Sequence, residues 1–181
     1  MAGPYFYFAL NLPPSLQRQL VHWRAAHFPA DYGKPVPAAG MSITLAWLGE
    51  ISEATCQRLQ QQASRIRQPA FSLTLNDAGH WPASGHLWLG CRPAPTGVLQ
   101  LATLLRSQAA RLGCPQPARP FHPHVRLIHH AYRAVTLPPA GFQWQTRISE
   151  FSLMCGGGAR RKRPHAIATF PLRNDLPPDE E

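Results

Sequence analysis

The sequence predicts an α+β fold with mostly antiparallel sheets, arranged as two half-domains that face each other across a cleft. Three observations favour this class. Strand-like and helical segments do not alternate strictly, and strand-like segments recur as neighbours. A helix followed by a strand with polar residues on one face also occurs twice, before residue 42 and before residue 124. Strict alternation would have indicated a parallel sheet instead.

Three segments place their apolar residues at helical spacing, namely 14–28, 53–67 and 96–112. Recurrence every three or four residues is typical of an amphipathic helix that buries one face. Gly113 follows the third segment, where glycine commonly ends a helix. The residues of the three stripes are Leu16, Leu20, Trp23 and His27; Cys56, Leu59, Ala63 and Ile66; and Val98, Leu101, Leu105 and Leu112.

The strand-like segments are short and separated by turn-forming residues. Two of them, FSLTL (71–75) and HLWLGC (86–91), alternate apolar and polar residues, and we interpret them as an antiparallel pair. The segment DYGKPVPAAG is a loop, because it is rich in proline and glycine. The remaining predicted strands cover 4–10, 42–48, 121–129, 133–137, 147–155 and 165–172.

Length and composition indicate one folded domain in residues 1–174, followed by an acidic tail in 175–181 that we expect to be disordered. A hydrophobic fraction of 44% excludes general disorder. The apolar run YFYFAL is too short to cross a bilayer and follows no basic residue, so we expect a soluble cytoplasmic protein. Four scattered cysteines without C-x-x-C spacing indicate free thiols in a reducing compartment.

The charge balance points to a polyanionic partner. Lys and Arg number 18 against 9 Asp and Glu, which gives a net charge of +9. Arginine dominates, and its guanidinium can bind phosphate through two hydrogen bonds at once. A nucleic acid is one interpretation, and a charge that only maintains solubility is the other; composition leaves both open. No obligate protein partner is evident.

The strand at SITLAWL (42–48) presents two hydroxyl groups on one face. Side chains alternate along a strand, so Ser42 and Thr44 share a face while Ile43, Leu45 and Trp47 share the opposite one. We therefore expect this strand to bury its apolar face and to offer Ser42 and Thr44 to a cleft.

The strand within HPHVRLI has the same arrangement with ionisable groups. His122, His124 and Arg126 share one face, and Val125 and Leu127 share the other. Guanidinium binds phosphate, and imidazole exchanges protons near neutral pH. If the polar faces of the two strands meet, they form a cleft suited to a phosphate ester.

A metal site is the rival interpretation of the histidines in this region, which are His122, His124, His129 and His130. His-x-His on a strand can chelate a metal ion, but no Asp or Glu lies within the segment to complete or orient such a site. We therefore expect no metal and no cofactor. Metal analysis after dialysis against a chelator tests this expectation.

Four segments carry a resemblance to a known family. FYFALNLPP (6–14), TLAWLGE (44–50), LRSQAARLGC (105–114) and RPFHPHV (119–125) are similar to the 2H phosphoesterases, and closely to the bacterial RNA 2′,3′-cyclic phosphodiesterases, also called 2′-5′ RNA ligases. The resemblance runs from about residue 4 to residue 172. It implies a bilobal, pseudo-symmetric fold with helices outside two sheets, and two H-x-T/S-x motifs on opposed strands.

Both motifs depart from the family pattern, because they read SITL at 42–45 and HVRL at 124–127. The resemblance implies that His124 is the general base toward water and that Thr44 holds the phosphate. Ser42 stands where the proton-donating histidine is expected, and a hydroxyl is too weak an acid to replace it. Arg126 replaces the second Thr and either stabilises developing charge, lowers the pKa of His124, or fills substrate space. His122 is a second candidate proton carrier.

The segment GGGARRKRP (156–164) places four consecutive cations after three glycines. In the family this region approaches the nucleotide, so we expect these cations to bind RNA phosphates, with a solvated loop as the alternative. Phe121, Trp81 and Trp88 are candidates for stacking on a base or are core residues. The four cations are Arg160, Arg161, Lys162 and Arg163.

The predicted function is hydrolysis of the 2′,3′-cyclic phosphate ends of RNA, or of small cyclic nucleotides, to 2′-phosphomonoesters, impaired by Ser42 and Arg126. Two alternatives remain open at this stage. One is a module that binds RNA ends or cyclic phosphates with little or no catalysis. The other is a competent enzyme into which these two substitutions were introduced.

Overall fold

The computed structural model describes residues 3–159 and 162–173, and for Lys162 the backbone alone. Its described residues form three helices and ten strands. The helices are α1 (Pro14–His27), α2 (Glu53–Ser64) and α3 (Thr96–Arg111). The strands are β1 (Pro4–Asn11), β2 (Lys34–Pro35), β3 (Ser42–Gly49), β4 (Phe71–Leu75), β5 (Asp77–Trp81), β6 (His86–Gly90), β7 (His124–His129), β8 (Trp144–Ile148), β9 (Glu150–Gly157) and β10 (Lys162–Pro171).

The helices begin and end where local chemistry favours it. Proline is tolerated at the first position of α1, because the N–H that it lacks would have had no hydrogen-bond partner within the helix. The Ser52 hydroxyl accepts a hydrogen bond from the Thr55 backbone N–H at 3.1 Å, which caps α2. Among the positions of the three stripes, Leu20, Leu59 and Leu105 are fully buried.

One large sheet runs through the described chain. Its strand order is β10-β9-β1-β3-β7-β6-β5, and β2 pairs with β7 outside this path. All pairings between these strands are antiparallel, as is that of the separate two-stranded sheet of β4 and β8. The α+β class with antiparallel sheets is confirmed. The two halves of the large sheet meet at β3 and β7, whose ladder consists of the single pair Ile43↔Val125.

Strand pairing differs from the sequence prediction at FSLTL. This segment, β4, pairs with β8, so the predicted pair between 71–75 and 86–91 is wrong. β6 pairs instead with β7 on one side and on the other with β5, which the sequence suggested was a turn. Gly79 makes that strand possible, because a Cβ atom there would lie 2.0 Å from the Trp88 indole. The predicted strand at 133–137 is also wrong, since those residues are irregular.

The core contains side chains from both halves of the large sheet and from all three helices. Phe8, Ile43 and Val125 lie in it with at most 1% of their surface exposed, so the residues that join β3 to β7 pack into the core. No described helix is long and apolar enough to span a membrane. The predicted acidic tail, 175–181, lies outside the described residues.

Candidate active site

A β-bulge on β3 determines which side chains share its polar face. Thr44 is opposite Ala9 and Ala46 is opposite Phe8, so the register shifts by one residue between them. Leu45 and Ala46 are consequently both buried, and Trp47, 52% exposed, lies on the same side as Thr44. Simple alternation predicted Trp47 on the apolar face, and that prediction is wrong.

A matching irregularity occurs on β7. Trp88 is opposite Arg126 and Leu87 is opposite Ile128, with a register shift between these pairs. The two residues Leu127 and Ile128 are both buried, and the next residue, His129, joins the polar face. In both strands the third residue after the polar pair, Trp47 or His129, therefore extends the functional face.

The polar faces of β3 and β7 line one cavity of about 430 Å³. It brings together Ser42, Thr44, His124, Arg126 and Arg163, all of which the sequence singled out. The lining contains no Asp or Glu, so apart from two tyrosines its ionisable side chains are all basic. The other lining residues are Tyr5, Tyr7, Val36, Pro37, Ala39, Gly40, Trp47, His129 and Pro164.

His124 is held as a neutral base with a defined tautomer. Its Nδ1 lies 2.7 Å from the His122 carbonyl oxygen, which only accepts, so Nδ1 carries the proton and Nε2 keeps a free lone pair. Burial lowers the His124 pKa, the hydrogen bond to the His122 carbonyl opposes this, and the nearby Arg126, His122 and His86 add to the lowering; the resulting pKa is about 4. At neutral pH His124 is therefore ready to accept a proton.

Two tryptophans support this histidine and its neighbour. The Trp81 ring lies edge-on to His124 with centroids 4.8 Å apart, and the Trp88 ring lies edge-on to His122 at 4.6 Å. Neither tryptophan lines the cavity. His122 is also absent from the lining, so its backbone carbonyl, rather than its imidazole, serves the site.

An aromatic group that the sequence analysis missed forms one wall of the cavity. The rings of Tyr7 and Trp47 stack at 5.6 Å with an interplanar angle of 15°, and Tyr5 stacks on Trp47 at 5.1 Å. Burial, followed by the neighbouring Tyr5, raises the Tyr7 pKa to about 12, so its phenol stays protonated. The signal was present in YFYF, where Tyr5 and Tyr7 are two residues apart on β1.

The predicted substrate-binding residues are separated by the fold. Arg163, exposed at the start of β10, lines the cavity. Arg160 and Arg161 lie outside the described residues, as does the side chain of Lys162. Phe121 does not line the cavity; its ring lies 5.0 Å from the Arg106 guanidinium and packs against the core.

The histidines do not assemble into a metal centre. In the part of the chain that the structure describes, no three His, Cys, Asp or Glu side chains lie close enough together to hold a metal ion. His86 and His129 approach each other, with ring centroids 5.4 Å apart, but no carboxylate or thiol joins them.

Comparison with known proteins yields a consistent group of relatives. A model of the family described as LigT like phosphoesterase matches residues 10–88. The RNA 2′,3′-cyclic phosphodiesterase of Escherichia coli (strain K12) is 51% identical over 154 residues, which cover 85% of this chain and 88% of that protein. A crystal structure of E. coli LigT complexed with 3′-AMP superimposes with a TM-score of 0.88 at 48% identity, covering 93% of this chain and 97% of the other. The same protein complexed with phosphate gives a TM-score of 0.85 at 44% identity, covering 95% and 99%.

Proposed function

This chain belongs to the LigT-like phosphoesterase family, and we propose that it hydrolyses the 2′,3′-cyclic phosphate ends of RNA to 2′-phosphomonoesters. The observation that carries the proposal is the single cavity lined by Ser42 and Thr44 from one strand and by His124 and Arg126 from the next. Further support comes from the E. coli relative, whose name is RNA 2′,3′-cyclic phosphodiesterase.

His124 acts as the general base in this proposal. Water attacks the phosphorus on the side opposite the 3′-oxygen, and its proton moves to the free Nε2 of His124. The bond from the water oxygen to phosphorus forms as the bond from phosphorus to the 3′-oxygen breaks. The hydrogen bond from Nδ1 to the His122 carbonyl orients the ring for this transfer.

Thr44 and Arg126 bind the phosphoryl oxygens. The Thr44 hydroxyl donates a hydrogen bond to one of them, and the Arg126 guanidinium balances the negative charge that increases in the transition state. Arg126 forms no ion pair within the described chain, so its charge is available to the substrate.

Ser42 leaves the reaction without a positioned acid. The departing 3′-oxygen must gain a proton, and a serine hydroxyl does not release one at neutral pH, so the proton comes from solvent. A positioned acid is typically worth about 10²–10⁴-fold in rate, and we propose that this chain is slower by about that factor than one in which a protonated histidine at position 42 supplies the proton.

The nucleoside binds beside the phosphate on the wall of Tyr5, Tyr7 and Trp47. Trp47 is half exposed while its ring is already oriented by the two tyrosines, so a nucleobase stacks on it with little ordering cost. Arg163 and the adjoining cations at 160–162 bind the RNA backbone, which makes binding weaken with salt. The reaction needs no metal, and a cytoplasmic location stays a prediction.

The direct experiment uses adenosine 2′,3′-cyclic phosphate and separates the two possible products, the 2′- and 3′-phosphates, by chromatography. We expect adenosine 2′-phosphate, with at least about a 100-fold loss in His124→Gln. The matched control is His22→Gln, an exposed histidine on α1, which should retain full activity. Equal rates in the two variants would remove His124 from the mechanism. Dialysis against EDTA beforehand should leave the rate unchanged.

A binding module for RNA ends is the second candidate, and Ser42 and Arg126 favour it. In that case adenosine 2′-phosphate binds in a calorimetric titration, but neither the chain as it stands nor the Ser42→His, Arg126→Thr double variant hydrolyses the cyclic phosphate. Turnover by the double variant would instead identify an impaired phosphodiesterase.

A further inference from the structure

Four basic side chains form a second group next to the cavity, which we call the outer basic cluster. They come from three neighbouring strands and the turn after them. Its members are Lys34 on β2, His86 on β6, His129 at the end of β7, and His130 directly after it. His129 lines the cavity together with Arg126, so the cluster continues outward from the phosphate-binding residues.

The strand register keeps the cluster together. Lys34 is the backbone partner of His129 across β2 and β7, and the rings of His86 and His129 have centroids 5.4 Å apart at an angle of 70°. His130 follows with its ring 6.4 Å from that of His129. The cluster is thus a group of adjacent basic side chains on paired strands of one sheet.

The turn that carries His129 and His130 is fixed by close backbone contacts. His130 has a φ of 60°, a left-handed conformation that is uncommon for a residue with a side chain. The next residue, Ala131, donates its N–H to the Gly85 carbonyl at 2.8 Å. On the other side, a Cβ atom at Gly33 would collide with the His129 carbonyl oxygen, so glycine is required for β2 to approach.

No described carboxylate pairs with the cluster. None of its four side chains forms an ion pair within residues 3–159 and 162–173. Burial, followed by the nearby Arg126, His129 and His130, lowers the His86 pKa to about 4. The His129 pKa is lowered by burial and then by Arg126, His130 and Lys34. The basic groups thus disfavour one another's charged forms, and an anion placed among them would reverse that effect.

We propose that the outer basic cluster binds a second phosphate of the substrate, namely the phosphodiester on the 5′ side of the nucleotide whose cyclic phosphate lies at Thr44 and His124. The inference rests on the proposed function and names the substrate class more narrowly: RNA 3′ ends in preference to mononucleotides. Arg126 and His129 are three residues apart on β7, at most about 10 Å at the rise of a regular strand, and the irregularity between them shortens this separation. This separation is on the scale of one nucleotide of an RNA chain.

Binding of the second phosphate should take up protons. The groups facing His129 are Lys34 from β2, His86 from β6, and Arg126 and His130 from its own strand and turn. All are basic, so a phosphate raises the pKa values of both His86 and His129. Since those pKa values are higher in the complex than in the free protein, affinity for the second phosphate is greatest at low pH and falls as pH rises through the values in the complex.

The test compares two probes by calorimetry, adenosine 2′-phosphate and adenosine 2′,5′-bisphosphate, at pH 6 and pH 8. We expect the bisphosphate to bind about tenfold more tightly at pH 6, as for one charge-assisted contact, with a smaller advantage at pH 8. His86→Gln and Lys34→Gln, both outside the cavity lining, should each reduce the advantage about threefold or more while leaving the monophosphate affinity unchanged. His22→Gln, again the control, should retain the whole advantage.

A second arm separates RNA from a free phosphate, and separates this inference from the proposed function. We expect kcat/KM for a dinucleotide ending in a 2′,3′-cyclic phosphate to exceed that for adenosine 2′,3′-cyclic phosphate, with the excess reduced in Lys34→Gln. Equal hydrolysis of both substrates would overturn the RNA assignment while leaving the proposed function intact. If neither substrate is hydrolysed, the proposed function is overturned. If in that case the bisphosphate still binds more tightly and both His86→Gln and Lys34→Gln reduce its advantage, the second phosphate site is supported. A bisphosphate that binds no more tightly than the monophosphate would overturn the inference.

Discussion

Replacing Ser42 with histidine should restore the missing acid. The full effect requires that Arg126 is replaced as well. The register of the pair Ile43↔Val125, extended by one residue, sets Ser42 level with Arg126 and Thr44 level with His124. A histidine at position 42 would therefore enter the cavity directly across from the Arg126 guanidinium and diagonally across from the base His124.

The expected magnitudes follow from this geometry. A positioned acid contributes about 10²–10⁴-fold, which lowers the activation free energy by about 3–5 kcal/mol. Opposed residues on antiparallel strands have Cβ atoms about 5 Å apart, and two like charges at that separation repel by about 1–3 kcal/mol. That repulsion lowers the pKa of the new imidazole by about 1–2 units, so only a small fraction is protonated at pH 7. Ser42→His alone should therefore gain about tenfold or less over the unmodified chain. The double variant should exceed Arg126→Thr alone by about 10²–10⁴-fold.

The assay is steady-state hydrolysis of adenosine 2′,3′-cyclic phosphate at pH 7. Ser42→Ala should match the unmodified chain, because the serine hydroxyl contributes no proton. Arg126→Thr alone should give no gain, because it removes a cation without supplying an acid. If the double variant is no faster than Arg126→Thr alone, position 42 is not the site of the proton donor and the reasoning is refuted.

Three further predictions test other parts of the site. Because neutral His124 is the base and its pKa is about 4 in the free protein, kcat/KM should stay level from pH 7 to pH 5 and decline only near pH 4; a decline centred near 6.5 would contradict this. Trp47→Ala should raise KM for a cyclic nucleotide by about 5- to 150-fold with a smaller effect on kcat, as expected for one lost base stack, and unchanged KM would remove Trp47 from the nucleobase site. Arg24→Gln should lower the free energy of unfolding in urea by about 2–4 kcal/mol, because its guanidinium binds the carbonyls of Val36 at 2.6 Å and Leu127 at 2.9 Å; exposed Arg18→Gln on the same helix should change it by less than about 0.5 kcal/mol.

The sequence was sufficient to predict that the four residues at the centre of the cavity lie together. Ser42 and Thr44, and likewise His124 and Arg126, are two residues apart on strands whose intervening residues are apolar, so alternation alone puts each pair on one face. The family resemblance then predicted that the two faces meet. The first step uses only the local sequence of each strand, and the second uses only the fact that the two strands are neighbours.

The extent of the site was not predictable in the same way. Trp47 and His129 join the functional face only because each strand contains an irregularity next to a particular partner, Phe8 and Ala9 for β3 and Leu87 and Trp88 for β7. A bulge is defined by two strands together, so one strand's alternation does not reveal it.

Long-range pairing was the other source of error. The segment 71–75 pairs with 144–148, about seventy residues further along the chain, rather than with the nearby 86–91. Both candidate partners are short strand-like segments, so their patterns do not decide the choice; in the observed pairing Leu73 and Leu75 are buried in the common core. Local patterns do not encode that choice.

A crystal structure of the chain with adenosine 2′-phosphate, the proposed product, tests the central claim most directly. We expect phosphate oxygens about 2.7–3.2 Å from both the Thr44 hydroxyl and Nε2 of His124, which in the product complex carries the proton taken from water, and we expect the base on Trp47. A phosphate bound elsewhere, or one that contacts only one of these two groups, would contradict it.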